Sequence, residues 1–284
     1  MKTVLALLGS PRRLGNSELV AKEIARHLPR DYQLQLLRLP AFRIDACRGC
    51  YTCLFKGQCL IPDDHNRVLQ AVLGADALIL AAPTYFLGPN ACLKRFTDRG
   101  LALYPHLESL WGKPAVAVGI AGIPGKEGYT LLGLENFLTM LFADIRSRRM
   151  LYGALPGEVL RDPVNRGAAR TLALELLGQT PPASDHPRCP LCGGGTFRFL
   201  SHNRVRCMLC SNEGRLEIAA GRIRLPIQKS RHELFLTLED ALAHREWLLS
   251  MKTRFNEQKE ALKDLSREYR KDGHWIRPGR MTPP

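Results

Sequence analysis

Short, continuous apolar runs alternate along this chain with segments in which apolar residues recur at every third or fourth position. The runs occupy residues 3–8, 77–82 and 115–120. Such runs are typical of parallel strands that are buried on both faces of a sheet. Residues 32–39 and 146–152 predict two further strands. The alternation of strands with helices predicts an α/β protein with a doubly wound, parallel sheet of five strands.

Helices are predicted between and after these strands. Behind the first strand, Leu19, Val20, Ile24 and Leu28 share one face of a helix. A proline and two aspartates at 62–64 open a second helix that ends near residue 73. The remaining predicted helices cover residues 91–103, 131–142, 163–177, 234–250 and 251–269.

Three loops leave the carboxyl ends of the predicted strands, which is where doubly wound sheets bind ligands. They cover residues 9–17, 83–90 and 121–129, and each is rich in glycine, proline or hydroxyl groups. The first loop opens a helix, whose free N–H groups favour an anion. It has neither the G-x-G-x-x-G pattern nor the Walker lysine, which argues against dinucleotide or ATP sites of those kinds. Ordinary helix capping by Asn16 or Ser17 remains an alternative.

Four cysteines, Cys47, Cys50, Cys53 and Cys59, lie within thirteen residues. Thiolates prefer zinc, copper(I) or iron–sulfur clusters. A tight C-x2-C-x2-C turn can hold three corners of a cubane cluster, and a fourth cysteine can close the last. We therefore interpret the run as the ligands of one iron–sulfur cluster. A structural zinc site and a redox disulfide are the alternatives.

Two further C-x2-C pairs follow, formed by Cys189 with Cys192 and by Cys207 with Cys210, beside short predicted strands at 196–200 and 205–207. This pattern predicts a zinc ribbon, in which four thiolates enclose the metal and its binding supplies folding energy. A second cluster or a redox dithiol is the alternative. Arginines alternate along these strands and could form a basic face for nucleic acid, although a solvated face is the commoner case.

The bulk composition is that of an ordinary globular protein, with 284 residues of which 45% are hydrophobic and 24% charged. No apolar run approaches the roughly 20 residues of a membrane helix, so we expect no membrane association. Nine cysteines, eight of them in clusters that contain C-x2-C pairs, predict metal binding in a reducing cytoplasm. The net charge of +14 favours acidic partners, such as ferredoxins, phosphorylated cofactors or nucleic acid.

The order of these motifs resembles a known family over roughly residues 1–180. The G-S-P-R start and N-S end of the loop at 9–17 are followed by the cysteine run, then by Asp63 and Asp64. A P-T-Y sequence at 83–85 and a K-x-x-x-D-R sequence ending at Arg99 come next. This arrangement looks like the iron–sulfur flavoproteins, which belong to the NADPH-dependent FMN reductase group of flavodoxin-like proteins.

The resemblance implies a flavodoxin-like sheet that holds FMN noncovalently. It places the FMN phosphate and the flavin ring against two sets of residues. The phosphate set is Ser10, Arg12, Gly15, Asn16 and Ser17, and the ring set is Pro83, Thr84, Tyr85, Phe86, Ala121, Gly122 and Tyr129. It also implies a [4Fe–4S] cluster on Cys47, Cys50, Cys53 and Cys59, and a homodimer or homotetramer.

The function implied by the resemblance is electron transfer by FMN and the cluster, from NAD(P)H or a ferredoxin-like carrier to an unidentified acceptor. No Ser/His/Asp set or carboxylate pair stands at a spacing that predicts a catalytic side chain. The residues themselves leave two alternative functions open. One is an NAD(P)H-dependent FMN or quinone reductase with structural cysteines, and the other is a redox-responsive nucleic-acid-binding protein that uses the ribbon.

Three regions are predicted along the chain. A flavodoxin-like FMN and iron–sulfur domain covers residues 1–180, the zinc ribbon 187–226 and a helical tail 227–284. A proline-rich linker at 179–187 predicts that the ribbon unfolds independently of the flavin domain. Two histidines, His65 and His106, are predicted at the surface or at helix caps.

Overall fold

A parallel sheet forms the centre of the protein in the computed structural model, which describes residues 1–180 and 186–276. The strand order is β2-β1-β3-β5-β6, and the short β4 pairs antiparallel with the end of β3. The strands are β1 (Lys2–Leu8), β2 (Tyr32–Arg38), β3 (Ala77–Tyr85), β4 (Gly88–Pro89), β5 (Pro114–Ala121) and β6 (Asp144–Tyr152). The predicted flavodoxin-like sheet of five parallel strands is confirmed.

Seven helices flank or follow these strands up to residue 180. They are α1 (Asn16–Arg26), α2 (Thr52–Lys56), α3 (His65–Leu73), α4 (Cys92–Thr97), α5 (Leu107–Leu110), α6 (Thr130–Met140) and α7 (Pro163–Leu176). Alternate strand residues point to opposite faces, so the apolar runs supply two cores. One core joins Val4, Ile79 and Val118 to α1 and α7. On the opposite face of the sheet, the tilted rings of Phe96 of α4 and Phe137 of α6 pack against each other.

Two helices differ from their predicted extents. The helix predicted over 91–103 ends at Thr97 and continues as short 3-10 turns near Gly100 and Pro105. The Thr97 hydroxyl bonds back to the carbonyls of Leu93 and Lys94, a contact that weakens a helix end. The two helices predicted over 234–269 form one, α8 (Leu238–Glu268). No glycine or proline interrupts that stretch, so nothing ends a helix within it.

The ribbon is a small antiparallel sheet in the order β12-β9-β8-β7, with a separate hairpin of β10 and β11. Its strands are β7 (Phe197–Phe199), β8 (Arg204–Cys207), β9 (Glu213–Arg215), β10 (Glu217–Ala219), β11 (Arg222–Arg224) and β12 (Ile227–Gln228). The two predicted strands at 196–200 and 205–207 are therefore present, slightly shifted. Most of the predicted linker and the end of the predicted tail, residues 181–185 and 277–284, lie outside the described residues.

The ribbon lies in the same compact unit as the parallel sheet, Met1–His244, and the chain from Arg245 onward forms a second unit. A cleft of about 450 Å³ is lined by Leu191 and Leu209 of the ribbon and by Trp111 and Phe142 of the sheet domain. Arg148 of β6 donates to the carbonyl of Gly193 at 2.7 Å. The ribbon is thus joined to the sheet domain by direct contacts. In the part of the chain that the structure describes, no helix has both the length and the apolar character needed to span a bilayer.

Candidate functional site

The loop between β1 and α1 brings buried hydroxyls and helix N–H groups to the carboxyl edge of the sheet. Ser10 and Ser17 are buried, whereas Arg12 is exposed. Gly9 lies against the end of β3, because a Cβ there would sit 2.6 Å from the Cβ of Ala82. The N–H groups in the first turn of a helix have no partner within the helix. This edge therefore carries the donors that the predicted anion site would need.

Asn16 has a contact that the sequence did not predict. Its side-chain nitrogen donates to the carbonyls of Gly153 and Leu155, both at 3.0 Å. Its side-chain oxygen accepts the N–H of Gly157 at 2.8 Å. Three hydrogen bonds therefore use this amide to attach the loop after β6 to the start of α1. Only the backbone N–H of Asn16 is left for an anion.

Arg38, at the end of β2, holds the same loop from the other side. Its guanidinium donates to the carbonyls of Ser10, at 3.1 Å, and Arg12. It also forms an ion pair of 2.6 Å with Glu18 in the first turn of α1. Burial raises the pKa of Glu18, but hydrogen bonds from Lys22, Arg38 and the Leu14 N–H outweigh this effect and lower it to about 2. Sequence analysis missed Arg38, whose one signal is its position at the end of a strand beside β1.

The end of β3 turns back through a two-residue hairpin at Phe86 and Leu87. Tyr85 pairs with Gly88 across this turn. Phe86 and Leu87 have φ values of 47° and 67°. This left-handed conformation favours asparagine and glycine at such turns, so two apolar side chains here cost backbone energy. Both side chains are exposed, Phe86 completely.

The loop after β5 closes against this hairpin. The N–H of Tyr129 donates to the carbonyl of Leu87 at 2.8 Å. The ring of Tyr129 lies against Gly88, where a Cβ would come within 2.4 Å of it. The hydroxyls of Thr84 and Thr130 are 2.9 Å apart.

The structure thus brings the predicted flavin residues of all three loops to one edge of the sheet. Pro83 is half-buried and Ala121 is buried, while Gly122 is exposed. Gly122 lines a cleft of about 460 Å³ together with Tyr152, Gly153 and Ala154. Because Asn16 binds the loop that contains Gly153, this cleft adjoins the predicted phosphate loop.

The cysteine run follows β2, whose last residue Arg38 pairs in register with Leu8 of β1. Cys47 and Cys50 are exposed, whereas Cys53 and Cys59 are buried. A hydrogen bond involving Thr52 lowers the pKa of Cys50, and burial raises that of Cys53. Within residues 1–180 and 186–276, these four thiols are not among the groups of side chains placed closely enough to hold a metal ion.

A buried polar group lies behind Cys59. Arg99 forms an ion pair with Asp63, and both side chains are almost completely buried. His65 is also fully buried and stacks on Phe96 with 4.8 Å between ring centroids. Burial and the charge of Arg99 lower the pKa of His65 to about 4. The prediction of a surface or capping His65 is therefore wrong, whereas His106 bonds to the carbonyl of Gly57 at 2.8 Å.

The four ribbon thiols form a compact group. All four sulfurs lie within 4.8 Å of one another. The sulfurs of Cys189 and Cys210 are 3.8 Å apart, and those of Cys192 and Cys207 are 3.5 Å apart. Hydrogen bonds from Cys189 and Cys192 lower the pKa of Cys210. Thiols brought this close compete for protons, and a metal cation would replace those protons.

The profile of the NADPH-dependent FMN reductase family matches residues 2–146. The chain belongs to the NADPH-dependent FMN reductase family. Members of this family are flavin-dependent oxidoreductases, and so is this protein. The resemblance found in the sequence is confirmed.

Curated relatives of this FMN reductase family member include two archaeal iron–sulfur flavoproteins. The Archaeoglobus fulgidus protein is 32% identical over 161 residues, which cover 56% of this chain and 72% of the relative. The Methanocaldococcus jannaschii protein is 31% identical over 184 residues, which cover 61% of this chain and 94% of the relative.

A solved structure of a flavone reductase resembles this family member over nearly its whole length. The TM-score is 0.70 at 17% identity, and the alignment covers 98% of this chain and 100% of the other. At this identity the comparison concerns the fold alone. The fold along nearly the whole of this chain is therefore shared with another solved protein.

Proposed function

We propose that this oxidoreductase transfers electrons through FMN, held at the three loops, and a [4Fe–4S] cluster, held by Cys47, Cys50, Cys53 and Cys59. The observation that carries the proposal is the register of β1 and β2, in which Leu8 lies beside Arg38. Because of this register, the anion-binding loop and the cysteine run leave neighbouring strands at the same edge of the sheet. Two redox groups at that edge would have a short electron path between them.

The residues at the first loop fit a flavin phosphate. The buried hydroxyls of Ser10 and Ser17, the first-turn N–H groups of α1 and the exposed Arg12 offer both hydrogen bonds and charge. Gly15 belongs to the same loop, and Asn16 contributes its backbone N–H and the position of the neighbouring loop. Pro83, Thr84, Tyr85, Phe86, Ala121, Gly122 and Tyr129 supply apolar and polar surface for the ring.

The cysteine run fits a cluster by its chemistry. Four thiols on one short segment match the four ligands that a cubane needs. The buried Arg99 beside Cys59 has N–H groups without a hydrogen-bond partner in the described chain, and a thiolate-bound cluster would be a natural acceptor for them. FMN exchanges one or two electrons and an iron–sulfur cluster one, so together they can connect a two-electron donor with a one-electron carrier.

The proposed donor is NAD(P)H or a reduced, ferredoxin-like protein. A hydride from NAD(P)H delivers two electrons, whereas a ferredoxin delivers one at each encounter. The net charge of +14 favours an acidic carrier protein. Exposed aromatic side chains at the proposed ring site, Tyr85, Phe86 and Tyr129, favour a homodimer or homotetramer that covers them.

The ribbon site is proposed to hold zinc in a structural role. Tetrahedral coordination at about 2.3 Å from metal to sulfur separates neighbouring sulfurs by about 3.8 Å. The observed 3.5 and 3.8 Å are close to this value. A cubane cluster, with one ligand at each of four iron atoms, would require wider spacing. The ribbon therefore fits a single metal ion, and zinc is the usual ion for four thiolates in paired C-x2-C turns.

Metal and flavin analysis of the full-length protein, purified without oxygen, tests the proposal. We expect FMN, about four iron and about four sulfide per chain, and about one zinc. Cys50→Ala should remove the iron and sulfide while FMN stays bound. Cys92→Ser is the matched control, because Cys92 belongs to neither cysteine group, and it should leave all contents unchanged. A wild-type protein with FMN but without iron would contradict the cluster and favour a flavin or quinone reductase with structural cysteines.

A further inference from the structure

Arg99 is a buried cation whose hydrogen-bonding capacity is only partly used. Its side chain is 1% exposed, and one end forms the ion pair with Asp63. The same Nη1 atom lies 3.5 Å from the carbonyl of Asp45. Its Nε and Nη2 atoms are buried and have no hydrogen-bond partner among the residues that the structure describes. A buried donor without a partner is costly, so these N–H groups call for an acceptor.

Asp63 is held in place for this pairing. One carboxylate oxygen accepts the backbone N–H of Asp45 at 2.8 Å, and the other accepts the N–H of His65 at 3.1 Å. The carboxylate is therefore occupied on both oxygens, while the guanidinium keeps two nitrogens free. The hydrogen-bonding groups of this ion pair that remain unused are therefore the N–H groups of Arg99.

The two ends of the cysteine segment meet at this ion pair. Asp45 precedes Cys47 and contacts Arg99 through its carbonyl. Cys59 is the last cysteine of the run, and its backbone is fixed by Asn66, which bonds to its N–H at 3.0 Å and its carbonyl at 2.7 Å. Burial lowers the pKa of Arg99, but the ion pair with Asp63 and the nearby Cys59 sulfur reverse that effect and raise it. Within the described residues, the Cys59 sulfur accepts no hydrogen bond from the free Nε and Nη2 atoms.

We propose that Arg99 tunes the reduction potential of the cluster by donating its free N–H groups to the sulfur of Cys59 when that cysteine holds the cluster. The inference rests on the proposed cluster site. One-electron reduction adds a negative charge to the cluster, and N–H donors and a nearby cation stabilise that extra charge. Arg99 therefore raises the potential. It is a positioning residue, since it acts through Cys59, and Asp63 holds it in place.

The test compares two variants that keep most of the volume of the buried pair. Arg99→Lys keeps the charge beside Asp63 but cannot supply the free N–H groups of the guanidinium. The double variant Arg99→Gln with Asp63→Asn removes both charges, so no buried carboxylate is left alone. Arg95→Gln is the matched control, because it removes an exposed arginine from α4, the helix that ends two residues before Arg99.

The readout is the midpoint potential of the cluster, measured by an anaerobic redox titration followed by electron paramagnetic resonance. Iron content is measured on the same samples, and the flavin potential serves as an internal reference. We expect the double variant to lower the cluster potential enough to change the ratio of reduced to oxidised cluster at least tenfold, about 59 mV for one electron. Arg99→Lys should give a smaller shift in the same direction, and Arg95→Gln should match the wild type.

Three results would contradict these expectations in different ways. Iron-loaded variants with wild-type potentials would overturn the tuning role and leave the cluster assignment intact. Loss of iron from both variants would show that Arg99 only holds the loop, which also overturns the tuning role. An iron-free wild-type protein would instead overturn the proposed function itself.

Discussion

Arg38 and Glu18 join the end of β2 to the first turn of α1 through an ion pair of 2.6 Å. The same guanidinium donates to two carbonyls of the intervening loop. Those contacts fix the loop in the conformation that directs its N–H groups and hydroxyls towards the proposed anion site. Arg38 therefore supports the proposed anion site by holding the loop that forms it.

Replacing Arg38 with glutamine should weaken FMN binding by loosening this loop. Loss of charge-assisted hydrogen bonds costs about 1.5–3 kcal/mol, which corresponds to about a 10- to 150-fold higher dissociation constant. Lys22→Gln is the control, because Lys22 pairs with Glu18 but does not contact the loop carbonyls. Fluorescence titration of the apoprotein with FMN measures both constants. Equal affinities for the wild type and Arg38→Gln would show that the loop keeps its shape without Arg38.

Glu18 should make the stability of the folded chain depend on pH in the acid range. Its pKa is lowered from 4.5 to about 2, so the folded state favours the ionised carboxylate. This contribution is fully present above pH 4.5 and is lost as the pH falls towards 2. Its size is at most about 3 kcal/mol.

Glu18→Gln should therefore be less stable than the wild type at neutral pH, and the difference should shrink between pH 4.5 and 2. Urea unfolding at several pH values measures it. Glu108→Gln, which changes an exposed carboxylate outside this ion pair, is the control. A constant difference across that range would mean that Glu18 stabilises the fold by packing, not by its charge.

Substitutions at Asn16 and Arg12, which lie in the same loop, should affect two different properties, stability and FMN binding. Asn16→Leu removes three hydrogen bonds to the loop after β6, each worth about 1 kcal/mol. It should lower the free energy of unfolding by about 2–3 kcal/mol and speed hydrogen exchange at Gly157. Arg12→Ala should leave stability unchanged but weaken FMN binding by about 1.5–3 kcal/mol. The reverse pattern would contradict the assignment of both side chains.

Metal removal from the ribbon should also destabilise the sheet domain. Cys189→Ser with Cys210→Ser should abolish zinc binding, and Arg148 would lose the ordered carbonyl of Gly193 to which it donates at 2.7 Å. Arg148 also forms a buried ion pair of 2.9 Å with Glu135 of α6. We therefore expect a lower melting temperature for flavin release as well as loss of zinc.

The measurements are zinc content and thermal unfolding followed by flavin fluorescence, with Cys92→Ser as the control. An unchanged flavin transition in the zinc-free variant would support the independent ribbon that the proline-rich linker predicts. The contacts of Arg148 and the shared cleft lead us to expect coupling instead.

The sequence predicts the sheet well because each buried strand is a local, continuous apolar run. Val4 to Leu8 and Ala77 to Ala82 are almost completely buried, as their composition requires. Loop positions follow from the strand ends, so the predicted flavin residues meet at one edge. The paired cysteines of the ribbon also meet, because two tight turns determine most of their geometry.

The missed features all depend on pairs that are distant in sequence. Nothing near His65 signals that Phe96 stacks on it, and nothing near Arg99 signals that Asp63 is its partner. Arg38 looks like an ordinary polar strand end until β2 is placed beside β1. Asn16 has the composition of a helix cap, but its amide serves a loop more than 130 residues away. Local pattern cannot reveal such contacts.

At the turn formed by Phe86 and Leu87, the requirement for a stable backbone conflicts with the requirement for an exposed apolar surface. An Asn-Gly pair would suit the left-handed backbone of this turn. It should raise the free energy of unfolding by about 1–2 kcal/mol for each residue replaced. The same exchange would remove a fully exposed aromatic ring from the edge of the sheet that is proposed to bind the flavin. Directed evolution of this protein for thermostability alone would therefore favour substitutions at these two positions. Such selection would remove the exposed apolar surface that could bind a flavin or a second subunit.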